Sequence, residues 1–294
     1  MNQLALWTPE PDARTPIVNV AQIPQRSPFR YPGGKTWLVP HIRQWLRSLP
    51  KKPALFIEPF AGGGIVSLTV AFEELADHIM MVELDKSVAA VWDTILSDDN
   101  DWLADQIINF HLTRETVRAE IEKTHHDRKH LAFQTILRNR TLHGGILAPG
   151  SGILKYGENG KGIKSRWYPA TLYKRIQNIK LVRHKITFIQ GDGTDTIKKY
   201  AARKTVAFFI DPPYTAAGKR AGTRLYTHNE LDHEELFKQS ERIKGDFLMT
   251  YDNAHQIASM AHQHGFETRT VPMMNTHHAT MRELLINRDF AWIA

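Results

Sequence analysis

Asp211, Pro212, Pro213 and Tyr214 stand together directly after four apolar residues, AFFI at 207–210. An apolar run of that kind reads as a buried strand, so the acid falls at its carboxyl end. The two prolines fix their φ angles and carry no N–H, so no helix can continue from the strand. What remains is a ledge of hydrogen-bond acceptors, the Asp211 carboxylate and nearby carbonyl oxygens, with an aromatic ring beside it. An exocyclic amino group on a planar base suits such a ledge. Its nitrogen lone pair is delocalised into the ring, and hydrogen bonds accepted by Asp211 and the Pro212 carbonyl would localise it toward a methyl donor. Tyr214 would stack on the base, which must leave a duplex to reach it. Without that chemistry, the same residues are an acid and two prolines that end a strand.

A second stretch, RYPGGKT at 30–36, has the glycines, lysine and threonine of a phosphate loop's end. The P-loop pattern G-x-x-x-x-G-K-[ST] requires a glycine where Phe29 stands, and the upstream residues are proline-rich and polar rather than a strand. Lys35 therefore needs a different anion, and Thr36 reads as opening the following helix. In EPFAGGG (58–64), Glu58 sits at a strand end and the glycines leave no side-chain wall, so a ligand can approach the backbone. The spacing is not G-x-G-x-x-G, which disfavours a dinucleotide fold. The next strand ends in Glu83 and Asp85. Glu83 suits the ribose hydroxyls of an adenosine-containing cofactor, and Asp85 stands where a helix N-cap belongs.

These residues need a frame that gathers strand ends. ALFIEPF (54–60), HIMMVELD (78–85), KITFIQGD (185–192), TVAFFIDPPY (205–214), DFLMTYDN (246–253), FETRTVPM (266–273) and ELLINR (283–288) read as strands. TWLVPHIRQWLRS (36–48), IVSLTVAFEELA (65–76) and KSVAAVWDTILS (86–97) read as helices. Strand, glycine turn, helix, strand, helix opens a parallel, doubly wound α/β sheet, whose ligands bind outside the strands' carboxyl ends. Between 98 and 183 the pattern becomes helical and then a glycine-rich basic loop, HGGILAPGSGILKYGENGKG. The sheet thus spans 27–97 and 184–294, interrupted by an insert at 98–183. Residues 1–26, rich in Pro, Gln and Asp, read as a loosely ordered tail.

The 294 residues, 42% hydrophobic and 23% charged, describe an ordinary globular chain. No apolar run approaches the roughly 18 residues of a membrane helix, and the N-terminus lacks a signal peptide's basic and apolar regions, so a cytoplasmic protein is expected. Cysteine is absent, which removes disulfides, thiolate zinc sites and a thiol nucleophile. The histidines at 125, 126 and 130, and at 277 and 278, read as solvated or DNA-facing, so no metal is expected. The net charge of +7 favours a polyanionic partner, and the basic residues crowd between 114 and 183 with Trp167, Tyr168 and Tyr173 among them. That mixture suits phosphates and bases; the plainer reading is a solvated basic surface.

Taken in order, these motifs resemble a DNA N6-adenine methyltransferase of the Dam-like class, in the motif order of its α group. RYPGGK resembles the family's N-terminal motif, EPFAGGG its cofactor motif and DPPY its catalytic motif. LRNRTLHGGI resembles its asparagine-arginine segment, the GD at 191–192 its adenine-side acid, and LYTHNELDHEELFK and RELLINR its downstream elements. The resemblance implies a Rossmann-like, S-adenosylmethionine-dependent methyltransferase sheet carrying a helical, basic target-recognition insert, and double-stranded DNA as partner.

Residue by residue, the resemblance implies that Tyr31, Gly33, Gly34 and Lys35 hold the cofactor's methionine end, with Lys35 on its carboxylate. Glu58, Phe60, Gly62 and Gly64 would line the methionine and sulfonium region, Glu83 would hold the ribose, and Asp192 would accept from the cofactor's adenine amino group. Asp211, Pro212, Pro213 and Tyr214 would be catalytic. Arg138, Asn139 and Arg140 are candidates for DNA contact, and Arg166, Lys174 and Arg175 for phosphate; on an amphipathic helix half would simply face solvent. The sequence departs from the family in its third glycine at 62–64, where serine or alanine is common, and in its glycine-rich stretch 144–163. Cytosine-C5 methylation would need the missing cysteine. Cytosine-N4 enzymes commonly carry serine where Asp211 stands, and N-P-P-Y enzymes acting on RNA or protein carry asparagine. A non-catalytic DNA-binding subunit would not require the acid, prolines and tyrosine together. The family includes restriction-modification enzymes and orphan methylases.

Overall fold

A computed structural model describes residues 17–30, 33–145, 147, 151–157, 160–213, 231–274 and 280–293. Its centre is a seven-stranded sheet formed by β1 (Leu55–Glu58), β2 (His78–Glu83), β3 (Ile186–Gln190), β4 (Val206–Ile210), β5 (Asp246–Asp252), β6 (Glu267–Met274) and β7 (Thr280–Asn287), in the order β3-β2-β1-β4-β5-β7-β6. β1 to β5 run parallel, and β7 is antiparallel to both β5 and β6. The chain leaves β1 toward β2 and β3 on one side and returns to β4 and β5 on the other. The order reverses between β1 and β4, and in such sheets that is where ligands bind.

Central parallel strands are covered on both faces and so lose the apolar–polar alternation. β4 shows this, with all five residues of VAFFI buried. Ala207 and Phe209 enter one apolar cluster, with Phe56, Leu68 and Trp92; Phe208 and Ile210 enter the other, with Ile57, Phe237 and Phe247.

The helices on the first face are α1 (Val39–Ser48), α2 (Ile65–Phe72) and α3 (Lys86–Leu96). The helical spacing expected over 36–48 resolves into a 3₁₀ turn, Lys35–Leu38, followed by α1. Pro40 stands in α1's first turn, where a missing N–H costs nothing, and Thr36 lies inside the preceding turn rather than opening the helix. Asp85 caps α3 as expected, accepting from Ser87 N at 2.7 Å and Val88 N at 3.2 Å.

Four helices occupy 98–183: α4 (Asn100–Asn109), α5 (Arg114–Ile121), α6 (Arg128–Thr141) and α7 (Pro169–Ile179). They have no core of their own. Leu103, Ile107, Ile136, Leu137 and Ile176 join the cluster containing Trp92 and Ile95 of α3, so the insert is built onto the sheet's helical layer. α7 escaped the sequence reading because its basic residues mask an apolar stripe at Leu172, Ile176 and Ile179. So did α8 (Gly193–Tyr200), α9 (His233–Glu241) and α10 (His255–Gln263). Among the described residues, no helix is long and apolar enough to cross a membrane.

Candidate active site

The loops after β1, β2, β3 and β4 line one pocket with the turn at Gly33–Lys35 and with Gly145 and Leu147 from the insert. β1 delivers Glu58, and the glycine turn after it is held from two sides. Glu83, at the end of β2, accepts from Gly62 N at 2.8 Å and from Asp85 N at 2.9 Å, one bond on each oxygen. Trp92 of α3 donates its indole N–H to Gly62 O at 2.8 Å. Burial, with the Asp85 charge adding to it, outweighs the backbone N–H groups of Asp85, Gly62 and Leu84 and raises the Glu83 carboxyl to about 7.

Gly64 adopts a left-handed φ of 62°, and an added Cβ would lie 2.6 Å from Met81 Cε and 2.7 Å from Trp92. Its glycine is therefore required by packing and backbone conformation, beyond any need for ligand approach. At the far side, Asp192 caps α8, accepting through Oδ1 from Thr194 N at 2.7 Å and Thr194 Oγ1 at 2.8 Å.

The electrostatic centre of the pocket is Lys35. Its side chain is only 4% exposed; Nζ donates to Gly33 O at 2.9 Å and lies 3.0 Å from Asp211 Oδ1 and 3.5 Å from Glu283 Oε2. Thr250 Oγ1 of β5 donates to the same Asp211 Oδ1 at 2.7 Å. Glu58, fully enclosed nearby, accepts from Ser67 N at 2.9 Å. Burial raises its carboxyl to about 8, with the Asp211 charge adding to that and the Ser67 bonds and Lys35 opposing it. At neutral pH Glu58 is thus mainly protonated, which relieves the crowding of carboxylates around one ammonium.

The structure brings Gly33, Gly34, Lys35, Glu58, Phe60, Gly62, Gly64, Glu83, Asp192, Asp211 and Pro213 of the sequence-derived candidates to this one pocket. Pro212 is buried and is not among the lining residues. Tyr31 and Tyr214 lie outside the described residues. Two participants were missed. Glu283 is a buried acid where β7 passes from its exposed start to its buried half, paired in register with Asp252 of β5, and Thr250 is a fully buried hydroxyl in β5. A polar residue inside the otherwise apolar run FLMTY was the available signal for Thr250; Glu283 follows the polar, exposed start of β7 and carried no such signal.

Two of the insert residues, Asn139 and Arg140, require a correction. Asn139 is fully buried: it accepts from Arg30 N at 2.9 Å and donates to Arg30 O at 3.0 Å and to Gly145 O at 2.9 Å. Arg140, also buried, donates to Pro28 O. Both side chains lie in the interior and brace the strap 27–30 that leads into the Lys35 turn, because the end of α6 packs beneath that strap. Arg138 is half-buried and donates to Leu147 O at 3.3 Å, and half-buried Arg175 donates to Ser27 O at 2.9 Å. Lys174 is exposed and Arg166 half-buried.

The family model described as D12 class N6 adenine-specific DNA methyltransferase matches residues 31–271. No curated protein matches the sequence. Among solved structures, the rRNA methyltransferase aviRa from Streptomyces viridochromogenes is similar at 12% identity and a TM-score of 0.40, covering 88% of this chain and 86% of that one. Precorrin-6y C5,15-methyltransferase from Geobacter metallireducens is similar at 10% identity and a TM-score of 0.37, covering 88% and 91%.

Proposed function

Because the chain belongs to the D12 class N6 adenine-specific DNA methyltransferase family, we propose that it methylates adenine N6 on a base turned out of double-stranded DNA, at the mouth of the Lys35–Asp211 pocket. The methyl donor of this family is S-adenosylmethionine, which supplies an electrophilic methyl group on a sulfonium. The pocket's residues fit it: an ammonium for a carboxylate, acids for ribose hydroxyls and an amino group, and apolar Phe60, Ile65, Leu84 and Val88 between them.

In this reading Lys35 binds the cofactor's carboxylate from the turn it shares with Gly33 and Gly34. Glu83 accepts from the ribose while its other lone pairs keep Gly62 in place. Asp192 accepts from the cofactor's adenine amino group. Asp211 and the Pro212 carbonyl accept from the amino group of the target base and turn its lone pair toward the methyl group, with Tyr214 stacked on the base. Thr250 orients Asp211, and Lys35 adds a positive charge beside it. Transfer is direct, since the chain has no thiol to form an enzyme-bound intermediate. The proton released from N6 leaves through the Asp211 ledge.

The observation that carries this reading is the pair of donors, Thr250 Oγ1 at 2.7 Å and Lys35 Nζ at 3.0 Å, that hold one oxygen of Asp211 in the crevice already containing Glu83. Exposed Lys155, Lys161, Lys164 and Lys174, with exposed Tyr156 and Tyr168, supply the surface for the duplex. Transfer of a labelled methyl group to duplex DNA, with identification of the labelled base, tests the proposal.

A further inference from the structure

Glu58 lines the pocket as a buried acid without an ion pair. It is 3% exposed, and its Oε2 accepts from Ser67 N of α2 at 2.9 Å. Among the described residues no cation stands in ion-pair contact with it, because the neighbouring ammonium is engaged elsewhere. Lys35 Nζ lies 3.0 Å from Asp211 Oδ1 and 3.5 Å from Glu283 Oε2. The charges that act on Glu58 are Asp211 at the end of β4, which disfavours its anion, and Lys35, which favours it. Glu83, at the end of β2, lines the same pocket. Burial is the largest influence and raises the Glu58 carboxyl to about 8.

A buried carboxylate without a counter-charge is costly, so the carboxyl keeps its proton instead. A positive charge arriving within about 4–6 Å shifts that balance toward the anion by roughly 10- to 1000-fold. The methyl donor carries such a charge on its sulfonium. Its spent product, S-adenosylhomocysteine, is a neutral thioether with the same adenosine, carboxylate and α-ammonium. We propose that Glu58 is the counter-charge for the sulfonium: it gives up its proton when S-adenosylmethionine binds, keeps it when S-adenosylhomocysteine binds, and so tells donor from product. The inference rests on the cofactor assignment above and does not depend on which base is methylated. The proton balance closes over one turnover. Donor binding sends one proton from Glu58 to solvent. After transfer the target nitrogen sheds its own proton, the sulfur is neutral, and Glu58 takes one proton back from solvent. Product is then held without the ion pair that held the donor.

Calorimetry on the full chain without DNA, at pH 7 in phosphate and in imidazole buffer, reads the protons exchanged as each ligand binds. S-adenosylmethionine should release about 0.4–0.9 proton more than S-adenosylhomocysteine, the range open to an acid at about 8 once a cation favours its anion. Sinefungin, which carries an amine-bearing carbon in place of the methylsulfonium, should match the donor. Because donor binding releases a proton, the preference for donor over product rises with pH, by about two- to eightfold per pH unit near 7. It levels off above 8, where Glu58 is already ionised in the free chain. Glu58→Gln, which keeps an acceptor for Ser67 N, should remove both the proton difference and its pH dependence. Equal proton release by donor and product in the wild type would overturn the proposal, whether or not the variant folds. So would a difference that survives in Glu58→Gln, since Glu83 or another acid would then supply the proton. A wild-type chain that does not bind S-adenosylmethionine at all would overturn the cofactor assignment together with the role of Glu58.

Discussion

Lys35 Nζ lies 3.0 Å from Asp211 Oδ1, so the turn before α1 and the acid at the end of β4 meet as an ion pair inside the crevice. The two residues come from opposite ends of the sequence motif set and would serve different ligands, one the cofactor and the other the target base. Their contact means that each site senses the charge of the other. Glu283, 3.5 Å from the same ammonium, gives Lys35 a second anchor on β7.

Asp211→Asn keeps the side chain's shape but replaces a carboxylate acceptor with an amide. Turnover is expected to fall by at least about 10²-fold, the scale of losing one electrostatic contact in a transition state. Cofactor affinity measured by calorimetry changes far less. Near-normal turnover would remove Asp211 from the reaction.

Lys35→Met should act first on the cofactor. A charge-assisted hydrogen bond contributes about 1.5–3 kcal/mol, so S-adenosylmethionine binding weakens by roughly 10- to 100-fold. Unchanged cofactor affinity would contradict the role given to the lysine.

Thr250→Val removes the donor to Asp211 with little change in volume. The expected cost is about 1–2 kcal/mol in the transition state, read as a roughly tenfold lower kcat with cofactor KM unaltered. A change in KM alone would show that Thr250 does not orient the acid.

Glu58 makes stability depend on pH in a direction opposite to an ordinary carboxylate. Its carboxyl is raised from 4.5 to about 8 in the folded chain. Across that window the folded state holds a proton that the unfolded state has released, so stability is fully present below 4.5 and is lost as pH rises toward 8. Denaturant unfolding should therefore show the wild type losing stability relative to Glu58→Gln, by at most about 1.4 kcal/mol per pH unit. Parallel pH profiles for the two proteins would contradict the protonated state.

Asn139→Leu tests the reassignment of the asparagine-arginine segment. It leaves the backbone groups of Arg30 and the Gly145 carbonyl without their side-chain partner, at a cost of about 3 kcal/mol. Thermal stability and cofactor affinity fall together, while the salt slope for duplex binding stays at the wild-type value. A lower slope would return Asn139 to the DNA surface.

Much of the sheet and one wall of the site could be read directly because their signals are local. AFFI followed by Asp-Pro-Pro encodes a buried strand and its abrupt end in adjacent residues, and Asp85 announces itself as a cap two residues from its first partner. Glu83 was legible for the same reason, standing where a strand stops. What could not be read depends on distant pairing. Nothing near Glu283 in the chain reveals Lys35, because β7 returns antiparallel beside β5 only after the sheet is assembled. Asn139 and Arg140 misled for a related reason: in a basic segment they resemble surface groups, and only the strap from 27–30, more than a hundred residues earlier, buries them. Gly64 was read for ligand approach, yet Trp92 and Met81 on other elements already exclude a side chain there.

The central claim is that the Asp211 ledge directs methyl transfer to an amino group of adenine in DNA. Incubating the full chain with duplex DNA and methyl-labelled S-adenosylmethionine, then digesting the DNA to nucleosides, measures it directly. The account predicts label in N6-methyladenine for the wild type and its loss in Asp211→Asn. Label recovered on cytosine, or only when RNA replaces the duplex, would contradict it.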